Sequence, residues 1–167
     1  MRIRLVTLSC FAAGCCILLG SAAHAQTCAA PMAWHPDQNG APPVVANLCA
    51  LPDSVALYCD FLDSAGKNDA IYQIVLVAGY TAGVVSVSGA AAGFNPVMYL
   101  YNSACATGSN CAQSGDANNP IPFAGVAAGT YFLAATAAPA DATGACGTTT
   151  LVTNGWFPVE LQSFDIE

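Results

Sequence analysis

From Val44 onward this chain is a succession of short β-prone runs, each closed by Gly, Pro, Asn or Asp. That punctuation constrains the fold more than any other feature. Its alanine-rich pieces, Gly89–Gly93 and Ala134–Ala140, are interrupted by Gly or Pro and carry almost no charged face, so neither reads as an amphipathic helix. Strands are expected at Ser54–Cys59, Ala70–Val77, Ala82–Ser88, Val97–Tyr101, Ile121–Val126, Gly129–Ala135, Thr148–Thr153 and Phe157–Gln162. Tyr72, Ile74 and Leu76 form the inward set of their strand, with Gln73 on the other face, and Val85 and Val87 alternate with Val84, Ser86 and Ser88. These features predict an all-β fold, an antiparallel β-sandwich of jelly-roll type stapled by disulfides. No repeat period is visible, which argues against a solenoid or propeller.

The amino terminus reads as an export signal. Arg2 and Arg4 form a short basic region, Leu5 to Leu19 is nearly uninterrupted apolar sequence, and Ala23-His24-Ala25 supplies a cleavage site before Gln26. The apolar run falls short of the roughly 20 residues of a membrane anchor. Ala12-Ala13-Gly14-Cys15 loosely fits a lipobox, but Ala12 is a poor first residue and the apolar run continues past Cys15. The expected organisation is a signal peptide over 1–25, an irregular lead-in over 26–53 and a β-sandwich over 54–167. Pro31, Pro36, Pro42, Pro43 and the turn dipeptide Asn39-Gly40 make the lead-in look irregular. Such a protein is secreted, periplasmic or displayed at the cell surface, with no transmembrane anchor once the signal is removed.

Removing the signal leaves six cysteines, Cys28, Cys49, Cys59, Cys105, Cys111 and Cys146. An even number in an exported chain implies three disulfides. Cys105 and Cys111 are expected to pair, because the Gly- and Asn-containing loop between them can bend back; so small a ring contributes only about 2 kcal/mol. The other four admit three arrangements, of which Cys28–Cys49 with Cys59–Cys146 is preferred. Lys67 is then the only basic side chain against ten acidic ones, a formal charge of −9. Phosphate backbones and anionic lipid repel such a chain, and nucleic acid is not an expected partner.

Catalytic residues are not evident. His35 is the one histidine after the signal, no Gly-x-Ser-x-Gly elbow occurs, and the cysteines have structural uses. One histidine and disulfide-committed cysteines do not make a zinc site. Calcium is the one metal the pattern supports: Asp60, Asp63, Asn68 and Asp69 fall within ten residues, although without EF-hand spacing. Asp60, Asp63 and Asp69 are its candidate ligands, against the plainer reading of turn carboxylates and no cofactor. Trp34 and Trp156 lie in turn-rich segments and are candidate ligand-binding residues, whereas Tyr99, Tyr101, Tyr131 and Phe132 divide between core and outer face as ordinary strand residues. The connection from Asn102 to Pro120 is longer than most in a compact domain. Its Gln113, Asp116 and Asn118 are the remaining candidates, suited to hydroxyl- or amide-rich ligands.

One stretch is more specific. Phe94 to Ser103 reads Phe-Asn-Pro-Val-Met-Tyr-Leu-Tyr-Asn-Ser, followed by the Cys105 to Cys111 loop, by Asp116, and by Gly129-Thr130-Tyr131-Phe132. This resembles the bacterial pre-peptidase C-terminal domain, a small β-sandwich attached to many secreted hydrolases, here standing alone after a signal peptide. In that family a strand like "FDPVLYLY" leads to a disulfide-closed loop and a "GTYYV" strand follows. The resemblance spans roughly Asp60 to Gln162. Asn68-Asp69-Ala70-Ile71-Tyr72 matches the family's "DxxY" strand entry, which implies a mainly structural role for Asp69, and some members bind calcium through loops of this kind. Asn95 stands where the family usually has aspartate, and Gln26 to Pro43 is too short to be a peptidase. The segment Phe157 to Phe164 looks like the "LPVELxSF" tail of various secreted bacterial proteins and is read as the last strand.

The resemblance implies fold and compartment and carries no reaction. The expected function is that of a secreted or cell-surface non-catalytic module that binds a polysaccharide or an extracellular protein. Two alternatives stand beside it: an assembly subunit using a sheet edge, and a small glycan hydrolase using carboxylates such as Asp63 and Asp69.

Overall fold

The computed structural model describes residues 27–35, 42–55, 57–58, 62–63, 65–76, 83–102 and 111–154. Eleven strands occur among them: β1 (Met32–Trp34), β2 (Val44–Asn47), β3 (Leu57–Tyr58), β4 (Leu62–Asp63), β5 (Ala70–Leu76), β6 (Val84–Ala90), β7 (Pro96–Tyr101), β8 (Cys111–Asp116), β9 (Ile121–Pro122), β10 (Gly129–Ala137) and β11 (Thr148–Asn154). A five-stranded sheet has the order β1-β5-β10-β7-β8, and a four-stranded sheet has the order β2-β11-β6-β9. β3 and β4 form a separate small hairpin. All neighbours in the two large sheets run antiparallel except β1, which lies parallel to β5.

Alternation along the strands explains how the sheets pack. Tyr72, Ile74 and Leu76 of β5, Met98 and Leu100 of β7, and Tyr131, Leu133 and Ala135 of β10 meet Val85 and Val87 of β6, Ile121 of β9 and Leu151 of β11 in one core. Side chains of a strand project alternately to its two faces, so these sets mark the inner face of each sheet. The fold is therefore the antiparallel β-sandwich expected from the sequence. Its five-stranded sheet is partly buried on the outer face too, where Ile71, Tyr99, Tyr101 and Ala134 form a second cluster with Val55. β10 occupies the middle of this sheet, and the alanines at 134, 135 and 137 let neighbouring layers approach it from both sides.

Several expectations need correction. The lead-in is not irregular throughout: its described residues include β1 and β2, which supply one strand to each sheet. The long connection after Asn102 contains β8, whose Cys-Ala-Gln-Ser-Gly-Asp run has no β-prone alternation and is held by pairing with β7. The run expected over Ile121–Val126 ends as a strand at Pro122, because the chain turns at Phe123–Val126 with Gly125 at a φ of 80°. The preferred disulfide arrangement is also overturned: Cys49 pairs with Cys146. Cys49 follows β2 and Cys146 precedes β11; Asn47 lies opposite Thr148 in that pair, and the Leu48 N–H donates to the Gly147 carbonyl at 2.9 Å. Strand register thus brings together cysteines that are 97 positions apart. Cys28 packs instead against the second cluster. Cys111 is disulfide-bonded, while Cys59 and its own expected partner, Cys105, lie outside the described residues, as do the signal segment and Phe157–Gln162.

Candidate groove beside the β8 edge

β7 places Met98 and Leu100 in the core and turns Val97 and Tyr99 to the outer face. Across the ladder Val97 lies opposite Asp116 and Tyr99 opposite Ser114. Residues directly opposed in a sheet share a face. An open groove of about 380 Å³ lies beside this pairing, lined by Val97, Tyr99, Ser114, Gly115, Asp116, Asn119 and Pro139. Ser114 is exposed, whereas Tyr99 is almost wholly buried and its hydroxyl is pushed above the ordinary tyrosine range by that burial.

The turn after β8 fixes the acidic wall. Asp116 Oδ1 accepts from the N–H groups of Asn118 at 2.7 Å and Asn119 at 2.9 Å, and the Asn119 side-chain amide lies 3.1 Å from Oδ1 and 3.0 Å from Oδ2. The Asp116 N–H donates to the Asn119 carbonyl and the Asn119 N–H to the Asp116 carbonyl. Donors stabilise the ionised carboxylate, so the Asn119 side chain, with the Asn118 backbone, holds Asp116 below its ordinary range. Gly115 has no room for a side chain: a Cβ would stand 2.5 Å from the Asn119 carbonyl oxygen and 2.9 Å from both Ile121 Cγ1 and Met98 Cε.

Pro139 is held from behind. Buried Lys67 donates from Nζ to its carbonyl at 2.8 Å. Asp141, two residues on, accepts the Asn95 N–H at 2.7 Å and the Asn95 side-chain amide at 2.6 Å, and the Ala138 N–H donates to the Asn95 carbonyl at 2.8 Å. The amide at position 95 is thus the donor that an aspartate could not be at neutral pH.

The residues singled out from sequence separate in space. Asp116 lies in the groove wall. Gln113 lies opposite Leu100, a core position, and so belongs to the other face of β8. Asn118 is exposed and serves the turn through its N–H; Asn119 takes the groove position. Trp34 is corrected outright: it is buried, with its ring 5.9 Å from that of Tyr72, and packs in the core rather than offering a binding surface. Trp156 lies outside the described residues. Tyr99 and Val97 were missed because only the β7–β8 register puts them on the face of Asp116 and Ser114, and Pro139 because it reaches the groove from the turn after β10.

Of the calcium candidates, Asp69 alone has a described side chain. Asp69 is fully buried, and its Oδ2 accepts from the N–H groups of Ser54 at 2.8 Å and Val55 at 2.9 Å. It anchors the segment that covers the outer cluster. Asp60 and the side chain of Asp63 lie outside the described residues, among which no group of three or more His, Cys, Asp or Glu could hold a metal. His35 is exposed. No helix of the described residues is long and apolar enough to cross a membrane.

No family model, curated protein or solved structure matches this chain.

Proposed function

We propose that this protein is an exported, non-catalytic β-sandwich module that binds a polysaccharide or an extracellular protein through the groove between β7 and β8. One observation carries the reading: an open groove whose wall presents a hydroxyl, an amide and a carboxylate over the apolar surface of Val97 and Pro139. Surfaces of that composition suit ligands that offer both hydrogen-bonding groups and apolar patches. The Cys49–Cys146 disulfide supports an oxidising compartment, as the Arg2–Ala25 leader does.

The finer assignment is a jelly roll of the pre-peptidase C-terminal type, with no cofactor. Strand order supports it, because chain-consecutive strands from β5 to β11 alternate between the two large sheets except at the β7–β8 hairpin. The two segments that carry the resemblance, β7 and β10, are paired neighbours, with Phe132 opposite Tyr101. Asp69 in its buried, loop-anchoring place also suits the resemblance.

The test is retention on glycan and extracellular-protein arrays of the wild type and of Ser114→Tyr. Ser114 is exposed on a strand, where tyrosine is well tolerated. The variant is expected to keep the wild-type melting temperature and to lose retention on every array position the wild type occupies. Equal retention by both proteins would move the site out of the groove. An assembly role has one observation in its favour. β8 is a six-residue edge strand with neither Pro nor Lys to discourage strand addition. Concentration-dependent sedimentation would reveal it.

A further inference from the structure

Resting on that reading of the groove, we infer that its ligand is an amino-sugar polymer, recognised through a protonated amine placed against Asp116. The geometry leaves the carboxylate only partly used. Oδ1 is occupied by two backbone N–H groups, whereas Oδ2 meets only the Asn119 amide, which it shares with Oδ1. Carboxylate oxygens have capacity for about four donors between them, so Oδ2 retains room for one from outside. An ammonium is the donor that gains most there, since a contact charged on both sides is about twice as strong as a neutral one.

The surroundings point the same way. Lys67, the only lysine or arginine in residues 26–167, is buried and donates to the Pro139 carbonyl, so among the described residues no lysine or arginine is left to neutralise Asp116. Anionic ligands are disfavoured by the same field, and the formal charge of −9 on residues 26–167 draws cationic ones in. A sugar, rather than a lysine-bearing peptide, is favoured by what flanks the carboxylate. Ser114 and Asn119 line the groove with Asp116 and offer a hydroxyl and a carboxamide oxygen, in a volume of about 380 Å³. A lone ammonium would leave both unused.

The test compares retention on chitosan with retention on chitin, the same polymer with its amines acetylated, in mildly acid buffer at low and moderate salt. Because any acidic protein is drawn to a polycation, two variants accompany the wild type. Asp116→Asn keeps an oxygen for the turn and removes the charge. Asp53→Asn removes one charge from another loop, where Asp53 accepts the Gly66 N–H. The expected result is that chitosan retains the wild type at moderate salt, that Asp116→Asn weakens retention by about tenfold or more, and that Asp53→Asn changes it by less than about twofold. Equal weakening by the two variants overturns the inference, since general charge attraction would then explain retention. Equal retention on chitin and chitosan overturns it too, while leaving the groove as a glycan site. Retention only on lysine-rich peptide arrays replaces the sugar with a protein partner. Failure on every array removes the underlying reading along with the inference.

Discussion

Three carboxylates show how much a single side chain decides here. Asp69 satisfies the N–H groups of Ser54 and Val55 from a fully buried position. Asp69→Ala would strand those donors and is expected to cost about 3 kcal/mol, read as a lower urea midpoint at unchanged slope; Asp69→Asn, which keeps an acceptor, should cost less. Asp116 titrates below its ordinary range because the ionised form is the one its turn binds. A depressed folded pKa stabilises the fold above the ordinary value of about 3.9 and loses that contribution as pH falls through the lower folded value. The melting temperature of Asp116→Asn should therefore lie below that of the wild type at neutral pH, with the gap closing in acid. Asn95 donates to Asp141, so Asn95→Asp would set two carboxylates at hydrogen-bonding distance. The expected penalty is about 1–2 kcal/mol at neutral pH. A melting-temperature series against pH checks both variants.

Elements were legible where side chains alternate and obscure where pairing supplies the order. β5, β6, β7, β10 and β11 could be read from runs such as Tyr72-Gln73-Ile74 and Val85-Ser86-Val87. β1 and β2 could not, because three- and four-residue strands among prolines carry too few alternations. Trp34 was misjudged for the same reason: once β1 is a strand beside β5, its tryptophan falls on the core face. β8 is the most instructive miss, since Gln113, Ser114, Gly115 and Asp116 suggest a loop. Half of the groove was hidden with it, because Val97 and Tyr99 join Asp116 and Ser114 only through the β7–β8 register. That register depends on Gly115 lying against the Asn119 carbonyl, Ile121 and Met98. Gly115→Ala should cost about 1–3 kcal/mol by overpacking. Its amides from Cys111 to Asn119 should also exchange hydrogen faster, whereas those of β5 stay protected; uniform protection would mean that the edge absorbs the methyl group.

At the scale of the whole molecule, the Cys49–Cys146 disulfide does what no local contact can. β2 is a four-residue strand at the edge of its sheet, paired among the described residues with β11 alone. The ring that the disulfide closes contains every strand from β3 to β10, including all of the five-stranded sheet except β1. Sequence spacing concealed this partner, because a ring of that size follows from tertiary topology and not from any nearby turn. Loop-closure entropy makes long rings the more stabilising ones: about 4.7 kcal/mol for a ring of this order, against about 2 kcal/mol for a ring the size of Cys105–Cys111. Replacing Cys49 and Cys146 together by serine should therefore lower the unfolding free energy by about 3–5 kcal/mol, measured by urea denaturation. Since the constraint acts on the unfolded chain, the variant's slope should rise as its denatured state expands, with the native sheet register unchanged. A loss below about 1 kcal/mol would show that the denatured chain already keeps the two cysteines close without the covalent bond.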